Sequence, residues 1–173
     1  AKYLRRNLRK TYRRPAPASR TKPDLVVLGV ASGVAPGGKP PVRIFLGTEP
    51  AQHRAERIFV WSVEKARDPS RVYEIYLMKD LIGFNRWWWT TGLTNYRLAI
   101  PYLAGGSGRA IYNDVDQVYL ADPGELFDTE MNGHGFLAIA AQNRTGGVPF
   151  DSSVMLIDCA RMGAVWSLAE AQN

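Results

Sequence analysis

Two periodicities divide the chain. Val42-Arg-Ile-Phe-Leu-Gly47 is a short, nearly continuous apolar run of strand length, closed by a glycine and preceded by Pro40-Pro41. Ala51, Ala55, Ile58, Phe59, Val63 and Ala66 then recur at helical spacing. Thr48 is the predicted N-cap of that helix, with Pro50 in its first turn and Asp68-Pro69 as its stop. Val72–Leu77 reads as a second strand. A strand–helix–strand succession opens an α/β fold with a central, largely parallel sheet flanked by helices.

The pattern continues with a short helix over Asn95–Leu103 and brief apolar strands at Ala110–Tyr112 and Val118–Leu120. Two longer apolar runs, Phe136–Ala141 and Ser153–Ile157, are the strands expected of a sheet covered on both faces. Between them and the preceding segment, Asp122-Pro123-Gly124-Glu125 combines a side-chain acceptor, Pro at the first helical position and Glu at the third. Asp122 is therefore read as a helix cap, and Asp158 as the cap of a closing helix running through Trp166.

Charge divides the chain differently. Residues 1–22 carry nine Lys or Arg and no acid, while the remainder is slightly acidic, so the net charge of +6 belongs to an N-terminal arm. Leu4, Leu8 and Tyr12 would form a narrow apolar stripe on a basic helix, a pattern suited to anionic lipid headgroups or another polyanion. A solvated tail has the same composition. Pro15, Pro17 and Pro23 interrupt any continuation, Leu25–Val30 reads as an extra strand, and Ser32–Pro41 as a flexible linker. The expected organisation is an arm and linker over 1–41 and one globular domain over 42–173. With no membrane-length apolar run, no signal-peptide pattern and one cysteine, the expectation is a cytoplasmic protein, peripheral at the membrane through its arm.

Several local features have bland readings. Gly105-Gly-Ser-Gly108 precedes a strand and lacks the Lys-Ser/Thr of a phosphate loop, so it is not read as a phosphate cradle. Trp87-Trp88-Trp89 fits core or interface packing, with an acceptor-sugar platform as the other reading. His53 and His134 lack ligand spacing, and Cys159 reads as core.

The candidate chemistry sits at Asp114-Val115-Asp116, two carboxylates one residue apart where an apolar strand ends. Residues i and i+2 of a strand share a side, so both can converge on one hard cation. Ligands in such a sheet bind beyond the carboxyl ends of strands, here around Gly47-Thr48-Glu49.

The run Ile111–Phe127 resembles the family 8 glycosyltransferases, whose pattern is apolar-Tyr-Leu-Asp-x-Asp, a short strand, then Asp-x-x-x-Leu. Asp114 and Asp116 fall on that family's metal-binding pair, Asp122 and Leu126 on the later positions, and Asn113 stands where Leu is usual. Tyr96-Arg97…Pro101 is similar to its Tyr-Arg-x-x-x-Pro motif, and the likeness extends from about Val42 to about Met162.

The resemblance implies a GT-A fold and sugar transfer, with retention, from a nucleotide-diphosphate donor, expected to be a UDP-sugar, to a carbohydrate or glycan acceptor, assisted by Mn²⁺ or Mg²⁺. It implies donor contacts from Gly47, Thr48 and Glu49, where Glu49 replaces the usual Asp, from Arg97, and from Asn113 and Val115. Gln142 and Asp151 are carried as candidate donor or acceptor contacts; Asp151-Ser-Ser153 stands where the family has Asn-x-Gly. The family's third metal ligand, a histidine in a His-x-x-Gly-x-x-Lys-Pro-Trp stretch, has no counterpart after Asp116, as in a member incomplete at its C-terminus. Two other classes compete. Asp114-Val-Asp-Gln-Val118 also fits a haloacid-dehalogenase-type phosphatase, with Asp114 as nucleophile, although that class needs a Lys after the motif and none follows. A non-catalytic domain binding nucleotide-sugar is the third, and nucleic-acid binding, resting on the arm alone, ranks last.

Overall fold

The computed structural model describes residues 20–84, 95–140 and 150–172. The basic stretch 1–19, the Trp87–Trp89 cluster and Gln142 lie outside them. Among the described residues no helix is long and apolar enough to cross a membrane.

Six strands form one sheet in the order β1-β3-β2-β4-β6-β5. They are β1 (Asp24–Leu28), β2 (Val42–Gly47), β3 (Tyr73–Met78), β4 (Arg109–Asp114), β5 (Phe136–Ala140) and β6 (Phe150–Asp158). The centre is parallel, β2 pairing with β3 on one side and β4 on the other, while β1, β6 and β5 run antiparallel to their neighbours. The helices are α1 (His53–Ala66), α2 (Tyr96–Leu103), α3 (Pro123–Asp128), α4 (Cys159–Met162) and α5 (Leu168–Gln172). The expected mixed α/β architecture, parallel at the centre and flanked by helices, is the one observed.

Alternation along the strands separates two cores. Ile44 and Leu46 of β2, Ile75 and Leu77 of β3, Ile111 of β4 and Leu156 of β6 face Phe59 and Val63 of α1 and Phe127 of α3. The intervening residues Phe45, Met78, Ala110, Tyr112, Met155 and Ile157 face Tyr96 and Ile100 of α2 and Cys159 and Met162 of α4. Period-two side chains buried on both faces explain why these strands read as unbroken apolar runs.

Several elements depart from the sequence expectation. The helix predicted from Thr48 begins with a single 3-10 turn, Pro50–Gln52, whose N-cap is Glu49; the Glu49 N–H donates to Gln52 Oε1 at 2.8 Å. Thr48 is not the cap, because its hydroxyl is spent inside, as described below. The buried stripe of α1 is Glu56, Phe59, Ser62 and Val63, and Ile58 points outward with 56% of its surface exposed. The face turned inward is thus partly polar, since Glu56 has a cationic partner there. Val118–Leu120 is not a strand: Val115 and Asp116 turn the chain, and Leu120 is 95% exposed. The Tyr119 N–H instead donates to Ser62 Oγ at 3.1 Å and its ring packs edge-on against Phe59, tying this segment to α1. The closing helix is two short ones, α4 and α5, with Asp158 capping α4 by accepting from Ala160 and Arg161 N–H. Asp122 caps α3 as expected, accepting from Gly124 N–H at 2.8 Å and from the Tyr73 hydroxyl at 2.5 Å.

The extra strand expected at 25–30 exists as β1, antiparallel to β3. Gly105–Gly108 lies at the amino end of β4, and Arg43 braces it by donating to the carbonyls of Ala104, Ser107 and Arg109. The Gly105 and Gly106 N–H groups already donate to the Tyr102 and Pro101 carbonyls at 3.0 and 2.8 Å.

Candidate functional site

Register brings the two expected halves of the site together. Gly47, last residue of β2, is the direct partner of Asp114, last residue of β4, and Met78 of β3 flanks Gly47 on the other side. The carboxyl ends of the parallel strands therefore share one edge, and the Val115 N–H closes it by donating to Gly47 O at 3.1 Å.

Gly47 is required by close approach. A Cβ at this position would lie 2.3 Å from the Tyr112 hydroxyl and 3.0 Å from its Cζ. Tyr112 fills that space, stands two residues before Asp114 on the same face of β4, and donates to Asp114 Oδ1 at 2.5 Å. Arg97, from the first turn of α2, lies over the Tyr112 ring with its Cζ 4.6 Å from the centroid. Its Nη2 reaches Asp114 Oδ1 at 3.0 Å and its Nη1 reaches Ser152 Oγ of β6 at 2.5 Å. Arg97 Nε is buried without a partner among the described residues. Burial works against the Arg97 charge but is outweighed by Tyr112 and Asp114, so the guanidinium is held above its ordinary value. Burial pushes the Tyr112 hydroxyl up as well. Arg97 is thus no surface ion pair; it compensates the carboxylate that ends β4.

Asp116 differs. It is exposed, lies in the turn beyond β4, and its contact is Gln117 Nε2 at 3.3 Å. The strand argument for convergence of the two acids stops at Asp114, and it is the turn at Val115-Asp116 that sets Asp116.

The other expected donor contacts divide by what their side chains already do. Glu49 is exposed beside Gly47. Thr48 is 1% exposed and donates to Glu56 Oε1 at 2.8 Å, while Lys79 Nζ pairs with Glu56 at 2.6 Å. This triad, buried at Thr48 and Glu56 and partly covered at Lys79, pins the ends of β2 and β3 to the start of α1. Asn113 is equally buried, and its Oδ1 accepts from the Tyr119 hydroxyl at 2.8 Å. The Val115 side chain belongs to the apolar core. None of Thr48, Asn113 and Val115 presents its side chain at the open edge, so a contact from them to a ligand would be through the backbone. Asp151 is exposed in β6 and accepts from Ser153 N–H at 2.8 Å.

Sequence reasoning missed Tyr112, Ser152, Glu56 and Lys79. The signal for Tyr112 was available, since residue i−2 of a strand shares the face of residue i. Nothing local announces the other three, because their partners are distant in sequence.

Among the described residues Asp114 Oδ2 has only a long contact, 3.4 Å to Arg97, and Asp116 is accessible. Among the described residues no group of three or more His, Cys, Asp or Glu converges. Asp114 and Asp116 are the two carboxylates this edge could offer a divalent ion, which would need waters or other ligands to complete its shell.

No protein-family model matches the chain, and no curated protein matches it by sequence. Solved structures do match by fold. The apo-form glycosyltransferase GlyE of Streptococcus pneumoniae TIGR4 superposes with a TM-score of 0.54 at 17% identity, over 73% of this chain and 36% of that one. The bifunctional glycosyltransferase WbbM gives 0.56 at 14% identity, over 80% of this chain and 38% of that one. The galactosyltransferase LgtC, solved with donor and acceptor sugar analogs, gives 0.51 at 14% identity, over 69% of this chain and 59% of that one. The chain spans between about a third and three fifths of the length of these glycosyltransferases, and what it shares with them is the GT-A fold.

Proposed function

We propose that this chain is the nucleotide-sugar-binding part of a glycosyltransferase that moves a sugar from a nucleotide-diphosphate donor, a UDP-sugar, to a carbohydrate acceptor. The observation that carries the reading is the pairing of Gly47 with Asp114 at the carboxyl edge of the parallel strands, with Arg97 leaning over Asp114. The glycosyltransferase identity of the structures sharing this fold supports it.

The edge beyond Gly47 and Glu49 takes the nucleoside, as edges of this kind do. Asp114 and Asp116 would hold Mn²⁺ or Mg²⁺, which when bound neutralises charge on the departing diphosphate. Arg97 adds a planar, permanently charged donor beside the same carboxylate, suited to a diphosphate oxygen. Its stacking on Tyr112 and bond to Ser152 hold it in place before any ligand arrives, which lowers the ordering cost of binding. Transfer with retention then depends on an acceptor held close to the anomeric carbon.

A second reading, a domain that binds the nucleotide-sugar without transferring the sugar, is favoured by the Arg97–Asp114 pair, which compensates Asp114 without a metal.

Calorimetry with UDP tests both. Nucleotide and Mn²⁺ should each tighten the other's binding by the same factor, at least about tenfold. Asp116→Asn should remove that coupling without unfolding the protein. UDP-sugar turnover with intact coupling supports the transferase, and UDP binding without turnover of a UDP-sugar supports the binding domain. UDP binding indifferent to Mn²⁺, accompanied by hydrolysis of an aryl phosphate, would overturn both in favour of a phosphatase.

A further inference from the structure

One edge of the sheet is open in a form that fits itself. Among the described residues β1 ends the sheet beside β3, with nothing paired along its outer side. Its five residues, Asp24-Leu-Val-Val-Leu28, keep an unbroken register with β3 and include no Lys or Pro. Lys, Pro and bulges are what usually blunt an exposed edge. The opposite edge strand, β5, has such a device, a register shift at Ala138/Ile139 against β6.

Both faces of the β1 edge are apolar. On one, Leu25 and Val27 are half-exposed. On the other, Val26 and Leu28 floor an open groove of about 450 Å³, walled by Val60 and Trp61 of α1, with Trp61 61% exposed. The lining comes from β1, β3 and α1, so the groove opens outward past β1. Its rim is graded in charge. The amino half of α1 lies at the Asp24 end, because Glu56 binds Lys79 just past Leu77, the partner of Asp24; exposed Arg57 lines the groove there. The carboxyl half lies at the Leu28 end, where Glu64 binds Arg67 and Arg67 Nη1 donates to Gly29 O at 2.8 Å. Glu64 lines the groove at that end, and Lys65 beside it does not.

A two-fold axis perpendicular to the sheet exchanges these ends. It sets β1 antiparallel to its copy, and the five residues overlap fully only with Val26 opposite Val26. Leu25 of each copy then lies opposite Val27 of the other, an aliphatic cross-strand pair. Trp61 of each copy closes the side of the groove that the other leaves open, and the Arg57 end of one α1 faces the Glu64 end of the other. This self-complementarity selects a second copy over an unrelated strand.

We propose that β1 and the adjoining face of α1 form a two-fold interface between two copies of this chain, joining their sheets into one. The same axis points the Gly47–Asp114 edges of the two copies in opposite directions, so both candidate sites stay open.

Sedimentation of the full chain tests the assembly, and disulfide trapping tests its register. At micromolar concentration the mass should be twice 19.3 kDa. Val27→Lys should weaken association at least about tenfold with far-UV circular dichroism unchanged, and Trp61→Glu should do the same without touching the strand. Arg57→Glu and Glu64→Arg should each weaken it about threefold or more, and an equimolar mixture of the two should associate as wild type does, because each charge then meets its opposite. Under mild oxidation Val26→Cys should cross-link to its copy at least about tenfold faster than Val27→Cys, whose counterpart sits diagonally across the pair. Buried Cys159 does not compete. A monomer at every concentration overturns the proposal and leaves the edge to a different partner. A dimer indifferent to both Val27→Lys and Trp61→Glu overturns the surface, and equal cross-linking at 26 and 27 overturns the register. A mixture no tighter than its components overturns the two-fold pairing of α1. None of these readouts involves nucleotide or metal, so failure here and loss of the UDP–Mn²⁺ coupling are separable.

Discussion

Asp114 and Asp116 stand one residue apart, yet neutralising them should have unequal consequences for stability. Asp114→Asn keeps the side-chain volume but removes the charge that Arg97 faces and rearranges the acceptor of the Tyr112 hydroxyl. The pair is only partly covered, with 16% of the Arg97 side chain and 26% of the Asp114 side chain exposed. Solvent therefore screens some of the interaction, and the cost is about 2 kcal/mol, the lower part of the range for charged hydrogen bonds. In a chain of this length that corresponds to a fall in Tm of about 4–8 °C. Asp116→Asn, exposed in its turn, should change stability by less than about 0.5 kcal/mol. Urea unfolding monitored by tryptophan fluorescence measures both. A cycle with Arg97→Met isolates the pair, with a coupling energy of about 1–2 kcal/mol expected between residues 97 and 114. Equal effects at the two aspartates, or additive effects of Arg97→Met and Asp114→Asn, would refute the assignment of Arg97 as the compensating cation.

Gly47→Ala should destabilise the protein by about 1–3 kcal/mol, because its Cβ meets the Tyr112 hydroxyl at 2.3 Å; Tyr112→Phe in the same chain should recover part of that, read by thermal unfolding. Burial pushes the Cys159 thiol up to about 11 from an ordinary value of 9.0, so its contribution to stability is complete below pH 9 and is lost as pH rises toward 11. Wild type should therefore lose stability over that window faster than Cys159→Ala, followed by urea midpoints at stepped pH.

How far the fold was readable depends on the range of the interactions that specify each element. The run Val42–Gly47, the stop at Asp68-Pro69 and the cap at Asp122-Pro123 are local signals, and each element formed within a few residues of its expected place. Asp114 at a strand end followed from three apolar residues before it, and its proximity to Gly47 followed from parallel topology. Val118–Leu120 misled because its apolar side chains suggested a strand, whereas the turn at Val115-Asp116 carries the chain away from the sheet and onto α1. The stripe of α1 was misplaced by one position of the helical wheel. Nothing local announces the burial of Glu56, and it is Lys79, just past a strand that comes later in the chain, that makes this burial tolerable. The compensation of Asp114 was hidden for the same reason: Arg97, Tyr112 and Ser152 come from three elements, and no spacing rule links them.

The placement of β1 also orders events as the chain folds. Its hydrogen-bonding partner is β3, not the nearer β2, so β1 has no ladder to join until the β2–α1–β3 crossover has closed. Synthesis delivers residues 24–28 first and their partners Tyr73–Leu77 some fifty residues later. During that interval Leu25, Val26, Val27 and Leu28 form an unpaired apolar segment, the kind that seeks other strands. Closing so long a loop comes late, after the local contacts of the crossover are made. β1 is then the last strand added on its side of the sheet and the first that local unfolding releases.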